Sequence, residues 1–398
     1  MSRDILKNII QINPTERLAK GTLAKKVPME YLQPFTRAIS SYETAEYSGG
    51  SKFRNGDTLM ARITPCLENG KTAYVSILDD GEVGFGSTEY IVFRNIEGVT
   101  DSKFVYYFVT SPWFREIAIK SMVGSSGRQR VQQSVLENLE VTLPPLDEQR
   151  RIAGILGSLD NKIELNRRIN ANLEAQAQAL FRSWFVDFEP FRDGPFVDSE
   201  LGKIPQGWKV GAASEFYKNI TIGKTPPRKE HQWFSKESHD IVWVSIADMG
   251  NCGLSICNSS EYLTPEAIKK FNICIVPVNT VLLSFKLTIG RVAIADKELA
   301  TNEAIAHFQT QHNTLEYTYL ALKNYEFSSL GSTSSIATAV NSKIIKSMPW
   351  MMPSDDVLNQ FHNVLSPIFN GIRNNIQEIT YLSALRDTLL PKLMAGEF

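Results

Sequence analysis

The sequence contains few residues whose types and spacing could support catalysis. Two Gly-Lys-Thr triplets, at 70–72 and 223–225, resemble the end of a phosphate-binding loop. Such a loop also requires a glycine five residues before the glycine of the triplet, and the chain has Pro65 and Lys218 at those positions. We therefore predict that both triplets form turns and bind no nucleotide.

Residues that could bind a metal are also dispersed. His307 and His312 lack the spacing that places two ligands on one face of a helix, and the five histidines do not cluster with cysteines. The four cysteines, which show no CxxC pair, are Cys66, Cys252, Cys257 and Cys274. The sequence has no NPPY-like or DPPY-like adenine-methyltransferase motif, no glycine-rich S-adenosylmethionine loop and no nuclease carboxylate–lysine cluster. We predict a protein with no catalytic residues, no cofactor and no metal of its own.

Length and composition are those of an ordinary globular protein. The 398 residues are enough for two or three domains, and 43% of them are hydrophobic and 21% charged. No apolar run reaches the roughly 18 residues of a membrane span, and residues 1–11 lack a signal-peptide pattern. Together with the unpaired cysteines, this predicts a cytoplasmic protein that does not enter a membrane.

The net charge does not indicate a stand-alone nucleic-acid-binding protein. The formal charge is −1, residues 1–144 carry 17 basic against 16 acidic side chains, and residues 196–352 carry 15 against 14. Such proteins usually have a basic excess. Any DNA binding is therefore expected to use local patches, contacts to base edges, or positive charge on partner subunits.

The longest periodic segment runs from Pro144 to Phe191. Acidic residues follow two prolines at its start, which is typical of a helix N-terminus, and apolar residues then recur at steps of three and four, as in a heptad seam. Two asparagines occupy seam positions, where a buried amide fixes register at a cost in stability. The predicted seam consists of Ile152, Leu156, Leu159, Ile163, Asn166, Asn170, Leu173, Ala177 and Leu180.

A partial copy of this segment closes the chain at Pro353–Phe398. Only Arg386 breaks its apolar pattern, and Asn375 repeats the amide of Asn166. The two segments are therefore predicted to be long helices that pair with each other, and the alternative is two unrelated core helices of one large domain. Adding 209 to the first seam gives the second, Phe361, Leu365, Ile368, Ile372, Asn375, Ile379, Leu382, Arg386 and Leu389.

The regions that precede the two helices also repeat one another. Strand patterns at Thr58–Ile63, Thr72–Leu78 and Glu89–Phe93 are matched by Asn279–Phe285, Gly290–Ala295 and Asn302–Phe308, and the loop at 122–133 is matched by the loop at 330–340. This order predicts an α+β fold in which two mixed α/β domains and two long helices form a pseudo-twofold repeat. The predicted parts are a first domain at 1–144, a helix with its exit segment at 145–190, a second domain at 191–352 and a C-terminal helix at 353–398.

Three motifs lie in the helices and their exits. They are LPPLDEQRRIAGILGSLDNKIELNRRINANLEAQAQALFRSWFVDFEP at 143–190, LGKIPQGW at 201–208 and LRDTLLPKLMAGEF at 385–398. With these motifs the chain resembles the specificity subunit of type I restriction–modification systems. The resemblance implies two target-recognition domains, each reading one half of a bipartite DNA sequence, separated by an antiparallel coiled coil of the two helices.

The same resemblance implies a set of partners. The chain would be a non-catalytic recognition subunit that binds double-stranded DNA and docks two methyltransferase (M) subunits on its helices, with restriction (R) subunits joining for cleavage. S-adenosylmethionine would be bound by the M subunits, and ATP with Mg by the R subunits. The first domain departs from the pattern because it lacks a counterpart of the IPQGW segment, and Arg386 is expected to face the partner helix or an M subunit.

The length of the predicted helix is compatible with such a role. A helix from Asp147 to about Phe185 would be on the order of 57 Å long at roughly 1.5 Å per residue. Half-sites one DNA turn apart are roughly 34–36 Å apart. The helix length is therefore expected to set the gap between the half-sites.

DNA contacts are expected from basic residues in glycine-rich loops, because arginine and lysine can reach phosphates or guanine edges from such loops. For any single residue the alternative is a solvated surface charge. The candidates are Arg54, Arg62, Lys71, Arg128 and Arg130 in the first domain, and Lys224, Arg228, Lys286, Arg291 and Lys343 in the second.

Three other functions are weighed against this one. A specificity subunit of a methylation-only or type IIB-like enzyme would have the same sequence features. A coiled-coil scaffold that binds proteins and no DNA is favoured by the neutral charge. An enzyme in its own right is disfavoured by the missing catalytic motifs.

Overall fold

A computed structural model describes residues 2–330 and 340–397. The chain divides into two compact units, Met1–Asn166 with Glu378–Phe398 and Arg167–Gln377. Each unit thus contains one mixed α/β region together with one half of each long helix. Most of the predicted loop at 330–340 lies outside the described residues.

The first unit is built from short strands and helices that precede the helix α5 (Leu146–Phe185). Its strands are β1 (Ser2–Ile5), β2 (Ile10–Ile12), β3 (Leu23–Val27), β4 (Glu43–Glu46), β5 (Lys52–Phe53), β6 (Thr58–Ala61), β7 (Thr72–Tyr74), β8 (Gly84–Gly86), β9 (Tyr90–Asn95) and β10 (Glu140–Leu143). Its short helices are α1 (Leu6–Ile9), α2 (Ser102–Thr110), α3 (Pro112–Lys120) and α4 (Gln133–Glu137).

The main sheet of the first unit has the strand order β2–β9–β6–β7, with antiparallel neighbours. The central strand β6 is buried along its length because successive side chains point to opposite faces and both faces are covered. Met60 packs in one hydrophobic cluster with Phe104 of α2, whereas Leu59 packs in another with Val27 and Phe53. A second sheet, β4–β3–β8–β5, contains the parallel pair β3 and β8, and β1 pairs with β10.

The second unit precedes the helix α11 (Asp355–Ala395). Its strands are β11 (Phe196–Ser199), β12 (Gly202–Pro205), β13 (Lys209–Ala212), β14 (Ile220–Ile222), β15 (Phe234–Ser235), β16 (Ile241–Val244), β17 (Ser255–Ile256), β18 (Tyr262–Leu263), β19 (Val281–Ser284), β20 (Val292–Ala295), β21 (Ala300–Thr301), β22 (Ile305–Phe308) and β23 (Pro349–Met352). Its short helices are α6 (Ala213–Phe216), α7 (Ile246–Asn251), α8 (Pro265–Lys270), α9 (Leu315–Lys323) and α10 (Ser342–Ser347).

The second unit repeats the topology of the first. Its main sheet, β14–β22–β19–β20–β17, has the order of the first unit's main sheet with one added strand. The parallel pair β16 and β21 corresponds to β3 and β8, and the pairing of β13 with β23 corresponds to that of β1 with β10. The α+β fold with an internal repeat, predicted from sequence, is therefore confirmed.

The N-terminal departure in sequence has a simple structural counterpart. β1 occupies the place in the first unit that β13 occupies in the second, because each pairs with the strand that directly precedes a long helix. The segment IPQGW belongs to the region around the hairpin of β11 and β12 and the start of β13. The first unit thus has the opening strand of the repeat, although its sequence lacks that motif.

Within each unit the two long helices run antiparallel. In the first unit, Nδ2 of Asn166 donates to Oε2 of Glu378 at 2.7 Å, and Nη1 of Arg386 donates to Oδ1 of Asp160 at 2.8 Å. In the second unit, Nδ2 of Asn375 donates to Oδ1 of Asn170 at 2.8 Å, and the aromatic rings of Phe185 and Phe361 pack with centroids 4.7 Å apart. Residue numbers on one helix rise as those of their partners on the other fall, so the antiparallel pairing implied by the family resemblance is confirmed.

Burial along the helices follows the predicted seam with local shifts. The buried seam residues are Ile152, Leu156, Ile163, Asn166, Asn170, Ala177, Phe361, Leu365 and Ile372. The half-buried ones are Leu159, Leu173, Leu180, Ile368, Asn375, Ile379, Leu382, Arg386 and Leu389. Asp160, Phe369 and Leu390 are buried beside three of these. A straight α-helix drifts from a strict seven-residue repeat by roughly 20° per heptad, so the buried line moves to adjacent positions.

Candidate nucleic-acid interface

In the first unit, three segments meet at the end of β6 and carry three of the predicted basic residues. The backbone N–H of Arg62 donates to the backbone carbonyl of Glu89 at 2.9 Å, and that of Val131 donates to the carbonyl of Arg62 at 2.9 Å. Gly124 allows the 122–131 loop to fold back, because its φ is +132° and a Cβ there would lie 2.9 Å from the carbonyl oxygen of Arg128. Arg62, Arg128 and Arg130 are thereby brought together.

These three arginines differ in how strongly they are held. Arg130 makes a bidentate ion pair with Glu89, in which Nε donates to Oε2 at 3.0 Å and Nη2 donates to Oε1 at 2.5 Å, and this carboxylate raises the pKa of Arg130. Arg62 donates from Nη2 to the carbonyl of Val131 at 3.2 Å, and its Nε is buried without a partner among the described residues. Arg128 is exposed, and no described residue pairs with its guanidinium. Arg128 is the cation that can reach a phosphate without breaking an internal bond.

The other two candidates of the first unit are occupied by structural contacts. Nε of Arg54 lies 2.7 Å from Glu16, a buried carboxylate that also pairs with Arg94. Nζ of Lys71 donates to the carbonyl of Met29 at 2.9 Å. Both side chains therefore have roles within the fold that contact with DNA would disturb.

Sequence reasoning did not identify Lys52, which lines a shallow cleft of about 280 Å³ together with Glu16, Arg62 and Thr88. Nζ of Lys52 donates to the carbonyl of Glu16 at 2.6 Å and lies 5.4 Å from the ring centre of Tyr47. Its position beside Arg62 depends on β5 lying at the edge of the second sheet. No local pattern in the sequence signals this neighbourhood.

In the second unit, two of the candidates are fixed by other residues. Arg228 donates to both carboxylate oxygens of Glu261 at 3.1 and 2.8 Å, and its guanidinium lies 4.5 Å from the ring centre of Trp243. Nη1 of Arg291 donates to the carbonyl of Ile246 at 2.6 Å. These residues hold loops in place, and a bond to DNA would have to replace existing ones.

The remaining three candidates of the second unit are exposed. Nζ of Lys224 donates to the carbonyl of Asn272 at 2.9 Å. Lys286 lies at the tip between β19 and β20, 5.6 Å from the ring centre of Phe285, and precedes Leu287, whose side chain is 97% exposed. Lys343 lies on α10, and no described residue binds its ammonium group. Lys286 and Lys343 can therefore contact an anion without losing an ion pair.

The two Gly-Lys-Thr triplets have different conformations. Gly70 lies in a turn at φ +72°, as predicted. The prediction of a turn at Gly223 is wrong, because this segment is an irregular connection after β14. Its backbone packs against β21, and a Cβ at Gly223 would lie 2.2 Å from the carbonyl oxygen of Asn302. Close approach of two backbones therefore explains the glycine.

Some of the predicted basic residues are neutralised by neighbouring carboxylates, in a chain whose net charge is close to zero. Glu16, Glu89 and Glu261 each pair with a basic residue of the predicted set. Of the ten predicted basic residues, Arg128, Lys286 and Lys343 have no side-chain hydrogen bond or ion pair with any described residue. Within the described residues, no three His, Cys, Asp or Glu side chains converge on a possible metal position. No described helix is long and apolar enough to cross a membrane.

The repeat is also visible in comparison with known proteins. A sequence model of the family described as "Type I restriction modification DNA specificity domain" matches the chain twice, at residues 5–175 and 205–381. The chain belongs to this family. Its two matches coincide with the two repeats of the fold, and each includes part of a long helix.

Two specificity subunits are similar to this family member over most of their length. The type I restriction enzyme MjaIX specificity subunit of Methanocaldococcus jannaschii is 30% identical over 316 residues, which span 77% of this chain and 71% of the relative. The type I restriction enzyme HindI specificity subunit of Haemophilus influenzae is 24% identical and covers 90% of each chain. The crystal structure of the type I restriction–modification system S subunit from M. genitalium has the same fold, with a TM-score of 0.55, 14% identity, and coverage of 98% of this chain and 95% of that one.

Proposed function

We propose that the chain is the non-catalytic DNA-recognition subunit of a type I restriction–modification complex in the cytoplasm. Each unit would read one half of a bipartite site in double-stranded DNA. The observation that carries this proposal is the duplicated fold, in which each repeat presents exposed, unpaired cations, Arg128 in the first unit and Lys286 and Lys343 in the second. Because most other candidate cations have internal partners, specificity would depend more on base edges and shape than on total charge.

The long helices would set the gap between the half-sites. α5 has 40 residues and α11 has 41, so each is roughly 60 Å long at about 1.5 Å per residue. Both helices continue from one unit into the other, and a change in their length would shift the two reading surfaces. Deleting one matched turn from each helix should shorten the gap in the recognised sequence, and an unchanged gap would refute this role.

The outer faces of the helices would dock two M subunits. In the first unit, Leu165 and Tyr381 are 48% and 67% exposed, and in the second unit Ile169 and Val364 are 38% and 44% exposed. Apolar side chains at this exposure on otherwise polar helix faces are suited to a protein interface. The M subunits would bind S-adenosylmethionine, and R subunits would bind ATP with Mg, while this chain would bind neither.

Methylation mapping tests the proposal. The chain would be co-expressed with its M subunit, and methylated adenines would be mapped across the host genome. A two-part motif with a constant gap is the expected result, and the presence or absence of an R subunit would separate a restriction system from a methylation-only or type IIB-like enzyme. No new methylation, from a complex shown to assemble and to bind S-adenosylmethionine, would favour a coiled-coil scaffold without DNA binding.

A further inference from the structure

Two histidines of the second unit meet in a cluster that contains none of the basic residues predicted to contact DNA. His312 lies between β22 and α9, and His362 lies two turns into α11. Their Nε2 atoms are 3.1 Å apart and their ring centroids 4.2 Å apart. Nδ1 of His362 is 2.8 Å from Oε2 of Glu316. Fifty residues separate the histidines in sequence, so no spacing pattern reveals the pair.

The carboxylate of Glu316 selects one tautomer of His362. Only 3% of the Glu316 side chain and 13% of the His362 side chain are exposed, so water competes little for their contact. Glu316 accepts the Nδ1 proton, and the Nε2 lone pair of His362 is left directed towards His312. A carboxylate on the far nitrogen is the arrangement that orients metal-binding imidazoles and raises their basicity.

The separation of the two Nε2 atoms suits one shared metal ion. Imidazole nitrogens lie about 2.0–2.1 Å from Zn²⁺. Two nitrogens 3.1 Å apart would therefore subtend about 95–100° at the ion. This angle lies between the values for octahedral and tetrahedral coordination, and imidazole is a good ligand for Zn²⁺, Ni²⁺ and Cu²⁺.

The surroundings leave room for the other ligands. The pair opens into a cleft of about 460 Å³, which is also lined by Ser366, Asn370 and Arg373. The charge of Arg373 is compensated, because its Nε lies 3.1 Å from Asp296. The segment that carries His312 is tied to α11, since Nδ2 of Asn313 donates to Oδ1 of Asn359 at 3.0 Å. Little rearrangement is therefore needed to bring both rings onto one ion.

We propose that His312 and His362 form a site for a divalent transition metal, with Glu316 as the residue that positions His362 and with water at the remaining coordination positions. On binding, the proton on Nε2 of His312 moves through solvent to Nδ1 of the same ring, so the two lone pairs converge and no net proton is released. The ion would link α11 to the segment before α9 within the second unit. This site is independent of the proposed function in DNA recognition.

Calorimetric titration of the full chain with ZnCl₂ and with NiCl₂ tests the site. We expect one ion per chain, a melting temperature that rises with metal concentration, and reversal by a chelator. His312→Gln and His362→Gln should each lower the affinity at least tenfold, and Glu316→Gln should lower it about 10–100-fold. His239→Gln is the matched control, because His239 is 79% exposed and lies outside the cluster.

If His362→Gln or Glu316→Gln fails to fold, His312→Gln decides the outcome, because His312 is exposed and its substitution disturbs the core least. Imidazole ¹⁵N shifts of the unmodified chain give a second readout, because coordination at Nε2 moves the resonances of these two rings. Saturable binding that is unchanged in His312→Gln would overturn the proposal. So would the absence of any heat, melting shift or ¹⁵N shift at millimolar metal.

Discussion

The buried ion pair between Asp160 and Arg386 is the sharpest test of how the helices are held in the first unit. Nη1 of Arg386 lies 2.8 Å from Oδ1 of Asp160, and their side chains are only 12% and 3% exposed. The hydroxyl of Tyr107 donates to Oδ2 of Asp160 at 2.7 Å. Burial disfavours the charged form of Arg386, but the carboxylate of Asp160 more than offsets this effect, and the pKa of Arg386 is raised. The carboxylate is thus fully occupied by two buried partners.

Removing only the arginine should be costly. Arg386→Ala would leave a buried carboxylate with Tyr107 alone, and breaking a buried pair in this way typically costs about 3–5 kcal/mol. For a unit of this size, a loss of about 3 kcal/mol should lower the melting temperature by about 6–12 °C. The assay is urea and thermal unfolding of the purified chain, followed by probes in each unit, with the effect expected in the first unit.

The internal repeat supplies the matched control. The offset of 209 relates Asp160 to Phe369 and Arg386 to Ala177, both buried in the apolar core of the second unit. The helix equivalent to α2 is α9, and when the two helices are aligned from their first residues, Leu320 corresponds to Tyr107. The triple variant Asp160→Phe, Arg386→Ala, Tyr107→Leu therefore copies an apolar layer that the chain already uses, and it should recover most of the lost stability. The reasoning is refuted if Arg386→Ala is neutral, or if the triple variant is as unstable as the single one.

Three further results are expected. Arg128→Ala should weaken DNA binding by the assembled complex, and it should reduce by about one the slope of the logarithm of the binding constant against the logarithm of the salt concentration. Arg3→Ala, which removes an exposed ion pair with Glu140, should change neither quantity. Burial lowers the pKa of His307 to about 4, against about 6.5 in an unfolded chain, so the unfolded state binds the proton first as the pH falls. The free energy of unfolding should therefore fall by up to about 3 kcal/mol between about pH 6.5 and pH 4. Denaturant titrations of His307→Gln over the same range should lack this decrease. Leu165→Glu should lower the affinity for the M subunit at least tenfold in a pull-down titration. The control is Leu201→Glu, which should leave the affinity unchanged, because Leu201 is similarly exposed, at 49%, but lies away from the long helices. Equal binding by the two variants would place the interface elsewhere.

The sequence by itself determined the elements whose signal is local. The prolines and acidic residues placed the starts of α5 and α11 to within a residue or two, and the heptad spacing indicated their buried stripes, because a helix buries residues that recur every three or four positions. The strands β6, β7 and β9 and their repeats were recognisable because buried strands are short apolar runs between turns. The internal repeat followed from comparing these elements along the chain, and the family from motifs that lie on the helices.

Only the tertiary structure decided which polar groups meet. Arg130 pairs with Glu89 from 41 residues away in sequence, and Arg386 pairs with Asp160 from 226 residues away. His312 contacts His362 from 50 residues away. Each pairing depends on strand order and on the register of the two helices, which no local period encodes. The same nonlocal packing buries Asp160 where the heptad predicts Leu159, and it separates free cations such as Arg128 from those already bound within the fold. Local periodicity therefore defined the helices and strands, while the charge that is left for a ligand is a property of the assembled surface.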